Sequence, residues 1–374
     1  MKLKRSIILA VIMLSGAASL AAQRLKMGDE LPLDSAVCVG KLNNGMTYYL
    51  RNNSNPSGMA DFYIVYDVGA IQEEDSEAGL AHFLEHMAFN GTKHFPQNSM
   101  TSWLEGIGLQ FGTNLNAATG MDMTYYKLSQ VPLKRESIVD SMLLILHDWS
   151  GSLSLDAKEI DKERGVIIEE RRQRNTPDFR TANKVGSYLY GETRYAHRDL
   201  LGSEEFLRSF KPQLLRDFYQ RWYRPDLQAI VIIGDFNVHE MEAKLKKTMA
   251  DIPRFKTPME KTPIAIPDNN KPIVAIVTDP ETQVTRAELF IKRPPVPKNL
   301  NNRVGTIYMK MLMNVATAMA NNRYGQLMQN PGCPFTSAAL LNTQLTSTCD
   351  ALQLRLVARG DAVGEAFTSA YGEL

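Results

Sequence analysis

The run HFLEH at positions 82–86 places two histidines and a glutamate on a helix predicted over 79–89. Residues three and four apart lie on the same face of a helix, so His82 and His86 can bind one divalent ion. Glu85, on the same side, can accept a proton from a water molecule that the ion activates. Zinc lowers the pKa of a bound water to about 7 and polarises carbonyl groups. The spacing, an inversion of the HExxH motif, therefore indicates zinc-dependent hydrolysis.

A catalytic zinc site needs a third protein ligand and one open position, and the helix predicted over 157–174 is the best source of that ligand. Glu163 and Glu170 lie seven residues apart on this helix and share a face with apolar residues. A carboxylate in an apolar stripe needs a partner, because an unpaired buried charge is costly. The spacing ranks Glu170 first as the ligand and Glu163 as support for the ligands. The alternative is a charged surface helix held by internal ion pairs.

Apolar periodicity along the chain predicts an α+β fold. Strands are predicted over 42–53, 61–68, 110–116, 123–128 and 229–234, and long helices over 135–149, 157–174, 211–222 and 238–249. Five prolines from Pro253 to Pro272 indicate a linker over 253–271. The order then begins again, with strands over 272–278 and 286–292 and helices over 302–319 and 362–374. This repetition predicts two tandem units, 36–252 and 272–374, of which the second is incomplete.

The N-terminus has the composition of a secretory signal peptide. Residues 1–5 contain three basic side chains, residues 6–20 are apolar, and Ala21 and Ala22 offer a cleavage site. The apolar run is short for a stable membrane span, so we expect loss of residues 1–22 and export to the periplasm or the medium. The net charge of +1 argues against nucleic acid as a partner.

The chain contains three cysteines, Cys38, Cys333 and Cys349. In an oxidising compartment such as the periplasm, Cys333 and Cys349 could form a disulfide; the alternative is that all three are buried thiols.

Four segments resemble the pitrilysin-type zinc peptidases, a family that includes insulin-degrading enzyme and the mitochondrial processing peptidases. GLAHFLEHMAFNGT at 79–92 resembles the family signature. LNAAT at 115–119, ERGVIIEE at 163–170 and YRPD at 223–226 resemble segments that follow it in family members. The resemblance extends well over 42–251, and over the rest of the chain by pattern only.

The resemblance implies a zinc-binding role for three side chains and a catalytic role for a fourth. His82, His86 and Glu170 correspond to the ligands of one zinc ion per chain. Glu85 corresponds to the general base, and Glu163 to a second carboxylate near the site. One departure is that Glu170 lies several residues farther from His86 than is usual, with the extra length around 101–112.

The resemblance also implies how a substrate is held. Family units have a mostly antiparallel sheet with helices packed on one face, and two such halves close around a peptide. Asn116 and Ala117 correspond to a strand whose edge pairs with that peptide. The closing half would be the C-terminal half of the same chain or a partner subunit. The predicted second unit contains no histidine, as is typical of the family's inactive half.

These observations favour an exported zinc endopeptidase that acts on peptides or unfolded segments. Two alternatives keep the same fold: a non-catalytic partner or assembly subunit, and an inactive N-terminal fragment of a longer peptidase. A zinc hydrolase acting on small amides is a third alternative. The histidines outside the motif are predicted to be structural or on the surface: His94, His147, His197 and His239.

Overall fold

The computed structural model describes residues 25–256 and 259–374, so the predicted signal peptide lies outside the described residues. The chain divides into two compact units. The larger comprises 34–284 and 344–350, and the smaller, among the described residues, comprises 25–33, 285–343 and 351–374. Within the described part, no helix has both the length and the apolar character that crossing a membrane requires.

The larger unit is built on one six-stranded sheet. Its strands are β1 (Val37–Lys41), β2 (Thr47–Asn52), β3 (Met59–Tyr66), β4 (Leu115–Thr119), β5 (Thr124–Pro132) and β6 (Gln228–Gly234). Their order in the sheet is β1-β2-β6-β3-β5-β4, so β4 forms one edge. Neighbouring strands are antiparallel except for β2 and β6, which are parallel. The predicted mostly antiparallel sheet is confirmed.

Nine helices of the larger unit lie among the described residues. They are α1 (Leu80–Met87), α2 (Ser99–Gly106), α3 (Glu136–Gly151), α4 (Ala157–Arg174), α5 (Pro177–Tyr190), α6 (Arg194–His197), α7 (Glu204–Ser209), α8 (Pro212–Trp222) and α9 (Val238–Thr248). The start of α4 is fixed by Asp156, whose carboxylate accepts a hydrogen bond from the Lys158 amide. The bounds of α4 are those that the sequence predicts.

The core of the larger unit lies between one face of the sheet and the helices. Along β3 and β6 every second side chain is buried, as expected for a sheet with one covered face. Phe62, Ile64, Ile230 and Ile232 are fully buried and belong to the same apolar cluster as Trp149 of α3. Helix α3 packs on β3, and α9 packs on β2. Helix α1 packs on β4, and α4 packs on α1 and α7.

Two predicted strands are wrong. The strand expected over 110–116 is found at 115–119, because residues 107–114 form turns that lead into it. The segment 272–278, expected to be a strand, has no assigned strand structure. Its apolar side chains are exposed, including Val274 and Ile276. The segment just after it is anchored instead by Arg180 of α5, whose guanidinium donates two hydrogen bonds of 2.7 Å to Asp279.

The smaller unit has a three-stranded sheet and two helices. Its elements are β7 (Arg286–Arg293), α10 (Val304–Leu327), β8 (Phe335–Thr346), β9 (Cys349–Ala358) and α11 (Val363–Tyr371), and the strand order is β7-β9-β8. Tyr324 and Phe335 are fully buried in its apolar cluster. Cys333 and Cys349 are buried thiols in this structure.

Buried and half-buried side chains alternate along β6, so truncating two neighbouring side chains should lower the free energy of unfolding by unequal amounts. Ile232→Ala removes a fully buried side chain, so we expect it to lower the free energy of unfolding by about 2–5 kcal/mol. Ile233→Ala, on the half-buried face, should cost clearly less. Chemical denaturation of the metal-free protein measures both. Equal losses for the two variants would contradict the described orientation of β6.

Candidate metal centre

Helix α1 presents the two histidines of the motif. Its opposite side is apolar and buried, with Leu80, Phe83 and Leu84 fully inaccessible to solvent. The ring centroids of His82 and His86 lie 4.7 Å apart. His82 is buried, whereas 22% of the His86 side chain is exposed. The pair therefore stands at the boundary between the core and an open face.

The carboxylate of Glu170 on α4 faces both rings. Its Oε2 atom lies 3.4 Å from His82 Nε2 and 3.2 Å from His86 Nε2. Ligand atoms that bind zinc tetrahedrally at about 2.0–2.1 Å lie roughly 3.3 Å from one another, and both distances from Glu170 match this value. The other oxygen, Oε1, forms an ion pair with the Arg174 guanidinium, at 2.6 Å. The fold thus brings together the three residues that the spacing in the sequence predicts as metal ligands.

Glu163 contacts the outer side of the same group. Its Oε1 lies 2.8 Å from His86 Nδ1, the ring nitrogen opposite to the one that faces Glu170. Its second oxygen accepts a hydrogen bond from the Asn90 side chain. A carboxylate at this position fixes the orientation and tautomer of a ligating imidazole. The two carboxylates of α4 therefore hold His86 from both ring nitrogens.

His82 has no comparable support. Its Nδ1 atom is buried and has no hydrogen-bond partner among the residues that the structure describes. His86 has a carboxylate at each ring nitrogen, whereas His82 has one at Nε2 only, so the orientation of His82 depends more on packing and on the backbone of α1. The two imidazoles are therefore positioned in different ways.

The charges of the metal-free centre follow from these contacts. Burial opposes a charge on His86, but hydrogen bonds to Glu163 and Glu170 outweigh it and raise the pKa of His86 to about 9. Hydrogen bonds from His82 and His86 hold the pKa of Glu170 well below its usual range. Metal ions bind neutral imidazole, so an ion that binds here must displace the proton of His86.

Glu85 is half-buried on α1, next to the two histidines in sequence. Its charge reaches two buried tyrosines of the core: burial and then neighbouring charges, including that of Glu85, raise the pKa of Tyr126 and of Tyr223. The hydroxyls of these tyrosines lie 3.1 Å apart. The carboxylate thus lies at the edge of an aromatic, poorly hydrated region.

Asn116 and Ala117 lie on β4, which pairs with β5 on one side, opposite Lys127 and Tyr126. No strand of the described residues pairs with the other side of β4. Helix α1 packs against this strand. Leu115 at the start of β4 is bridged by Phe111, and the fold places the rest of this edge, which no described strand covers, next to the helix that carries the histidines.

Two contributors to the centre, Asn90 and Arg174, are not indicated by the motif. Arg174 lies four residues after Glu170 on α4, and side chains four residues apart on a helix are neighbours, so its contact with Glu170 could have been predicted. Asn90 lies beyond the end of α1 and contacts Glu163, which is distant in sequence, so no local signal indicated it.

A second group of histidines and carboxylates has different spacing. Asp148 Oδ1 lies 2.7 Å from His94 Nδ1 and 3.0 Å from His147 Nδ1, which are hydrogen-bond distances. The Nε2 atom of His147 lies 2.9 Å from Asp251. Both ring nitrogens of His147 thus face carboxylates, and only an imidazolium can donate to both. This arrangement is a charged hydrogen-bond network that joins α3 to the loop after α1.

The pKa shifts in this network have opposite signs. The hydrogen bond to Asp148 is the main reason that the pKa of His147 is raised from 6.5. Burial would raise the pKa of Asp148, but hydrogen bonds from His147, Thr92 and His94 lower it below 3.8. The stabilisation from His147 is complete below its unfolded pKa and is lost as pH rises through the folded one. The stabilisation from Asp148 is present above the pKa of this residue in the unfolded chain and is lost as pH falls through its pKa in the folded protein.

His147→Gln tests this network, because glutamine can keep one hydrogen bond but cannot take up the charge. We expect the wild-type protein to exceed the variant in free energy of unfolding by about 1.5–3 kcal/mol between the ordinary pKa values of 3.8 and 6.5. The difference should shrink as pH rises above 6.5. Chemical denaturation of metal-free protein across pH measures it, with His239→Gln on the exposed surface as the control. A pH-independent difference would contradict an imidazolium at position 147.

Comparison with known proteins agrees with the fold. The crystal structure of the periplasmic protease PqqL from Escherichia coli is similar with a TM-score of 0.81 and 28% identity, covering 92% of this chain and 38% of that one. The crystal structure of pitrilysin, at 18% identity and a TM-score of 0.69, covers 94% of this chain and 37% of that one and shows the shared fold. The larger unit therefore has the fold of the pitrilysin-like peptidases.

Family models match two stretches of the chain. Residues 48–195 match Insulinase (Peptidase family M16), and residues 209–331 match Peptidase M16 inactive domain. The chain belongs to peptidase family M16, which confirms the resemblance seen in the sequence.

Two curated relatives are named as proteases. The probable zinc protease PqqL of Haemophilus influenzae is 29% identical over 329 residues, which are 87% of this chain and 35% of the relative. The protein of the same name from Escherichia coli is 33% identical over 269 residues, which are 72% of this chain and 29% of the relative. The chain thus spans about a third of the length of these relatives.

Proposed function

We propose that this chain carries the metal centre of an exported zinc-dependent endopeptidase that hydrolyses peptides or unfolded segments. The observation that supports this most is the approach of Glu170 to both imidazoles, at 3.2 and 3.4 Å. The carboxylate of Glu163 behind His86 adds the outer support that zinc sites use. Relatives named zinc proteases favour the same ion and reaction.

In this proposal one zinc ion per chain is held by His82, His86 and Glu170. When bound, it would supply Lewis acidity and lower the pKa of a water molecule at the open position. Glu85 would take the proton from that water as it attacks the scissile carbonyl and pass the proton to the leaving amine. Glu163 would keep the Nε2 atom of His86 directed at the ion.

The substrate would add to the sheet as an extra strand along β4, with Asn116 and Ala117 next to its backbone. The outward amide and carbonyl groups of an edge strand can pair with any extended peptide. The position of β4 at the edge and the packing of α1 against it support this proposal. A folded domain could not enter such a position without first exposing an extended segment.

Export is proposed from residues 1–22, which have the composition of a signal peptide, and from the periplasmic location in the name of the Escherichia coli relative. Because the chain spans about a third of its relatives, we propose that a C-terminal half or a partner subunit closes over the peptide. Domains at 36–252 and 272–374 with a linker over 253–271 remain part of the proposal. A chain of this length could bind zinc and still require the second half for turnover.

Replacing the proposed base should separate metal binding from catalysis. Glu85→Gln removes the proton acceptor without removing a ligand. We therefore expect unchanged zinc content and a loss of turnover of at least about 100-fold. Zinc analysis and cleavage of a quenched peptide, on this chain joined to its second half, measure the two effects. Glu169→Gln, an exposed carboxylate of α4, is the matched control. Full activity in Glu85→Gln would remove Glu85 from the mechanism.

Replacing the proposed third ligand should instead weaken zinc binding itself. Glu170→Gln keeps the size of the side chain but offers a neutral amide in place of a carboxylate. Loss of a ligand should weaken zinc binding beyond the roughly 10–100-fold typical of outer-sphere residues. Competition with a chromophoric chelator measures the dissociation constant in Glu170→Gln and in the Glu169→Gln control. Equal affinities in the two variants would exclude Glu170 as a ligand.

A further inference from the structure

His82 has a partner at only one of its ring nitrogens, which raises the question of what else fixes the position of the ring. Side chains hold His86 at both nitrogens, but His82 Nδ1 has no partner among the described residues. Because His82 lies in the first turn of α1, the placement of its ring depends on how that turn is anchored. The first amides of a helix have no partners within the helix and must find them elsewhere.

The side chain of Glu73 accepts hydrogen bonds from two amides at the start of α1. Its Oε2 atom accepts a hydrogen bond of 3.0 Å from the Gly79 amide, and its Oε1 atom accepts one of 2.7 Å from the Ala81 amide. Gly79, at the N-cap position, has no side chain that could cap the helix. A carboxylate at this end of a helix is also favoured by the helix dipole. Glu73 is fully buried and plays no part in the proposed reaction.

Glu73 is itself fixed by Arg198, whose side chain is 2% exposed. The guanidinium donates hydrogen bonds to the carbonyls of Glu73 and Glu74, at 2.8 and 3.0 Å. Its Nε atom lies 3.8 Å from Glu73 Oε2. The backbone at this point has little room, because a Cβ on Gly79 would lie 2.6 Å from the Cα of Gly202. The start of α1 is therefore determined by the two hydrogen bonds to Glu73, by the hydrogen bonds that Arg198 donates to the neighbouring backbone, and by close backbone packing.

We propose that Glu73 is a positioning residue of the metal centre, which sets the location of the His82 imidazole by binding the Gly79 and Ala81 amides. Glutamine at position 73 is nearly the same size, but its NH2 group would face one of two N–H donors. One of the two hydrogen bonds must then be lost, and the first turn of α1 is free to shift. Tenths of an ångström at Nε2 matter, because zinc tolerates only a narrow range of bond lengths.

A matched control lies four residues along the chain. Glu77 is also buried, and its carboxylate accepts hydrogen bonds from the Glu74 amide and from Arg221, at 3.0 and 2.5 Å. Glu77→Gln makes the same replacement of a carboxyl by an amide in the same segment but leaves the two capping bonds to α1 in place. Any effect of general destabilisation of this segment should therefore appear in both variants.

The inference rests on the proposed function, and zinc affinity tests it without requiring turnover. The wild-type protein, Glu73→Gln and Glu77→Gln are stripped of metal, and zinc affinity is measured by competition with a chelator. We expect Glu73→Gln to bind zinc about 10–100-fold more weakly, as for other residues that orient ligands, and Glu77→Gln to stay within about 2-fold of wild type. The absorption spectrum of cobalt-loaded protein should change in Glu73→Gln only, because it reports ligand geometry.

Several outcomes would overturn the inference. One is unchanged zinc affinity in Glu73→Gln, and another is an equal loss in both variants, which would indicate general destabilisation alone. If Glu73→Gln does not fold, Glu73→Asp and Glu77→Asp replace the pair, and the weaker zinc binding should again follow position 73. A wild-type protein that binds no zinc would overturn the proposed function and this inference together, whereas normal binding with no effect at position 73 would overturn only the inference.

Discussion

The contact between α1 and α4 is the interaction on which the proposed centre depends. Two carboxylates of α4 face the two ring nitrogens of His86, and one of them also reaches His82. Acceptor atoms held this close repel one another unless a positive charge lies among them. A proton on His86 can provide that charge in the metal-free protein, and a divalent ion can replace it. A cation between the carboxylates therefore stabilises the helix pair, and apolar packing in the larger unit holds the same helices.

The features that the sequence predicts correctly are those determined by interactions between residues close together in the chain. The bounds of α4, its two carboxylates and the spacing of His82 and His86 follow from helical periodicity, which acts within a few residues. The alternation of β3 and β6 follows in the same way from a sheet with one covered face. These features include the three candidate ligands, His82, His86 and Glu170.

Features that depend on distant parts of the chain could not be predicted. Glu73, which accepts hydrogen bonds from the first amides of α1, lies outside the motif. Nothing in the position of Glu73 in the sequence distinguishes it from the neighbouring acidic residues. The segment 272–278, a mostly apolar run, was predicted to be a strand, but a strand also needs a neighbouring strand with free backbone groups. The network of Asp148 joins residues from three separate segments, so only the folded chain reveals the charge on His147.

The edge strand β4 is five residues long. Since alternate residues of an edge strand direct their amide and carbonyl groups outward, so short a strand provides few bonds to a neighbouring chain. The same shortness limits self-association through this edge, which is a common route to aggregation. A segment bound there through main-chain groups alone would be held weakly and with little regard to its side chains. Selectivity and retention would then have to come from surfaces beyond this strand, and fragments could dissociate quickly after cleavage.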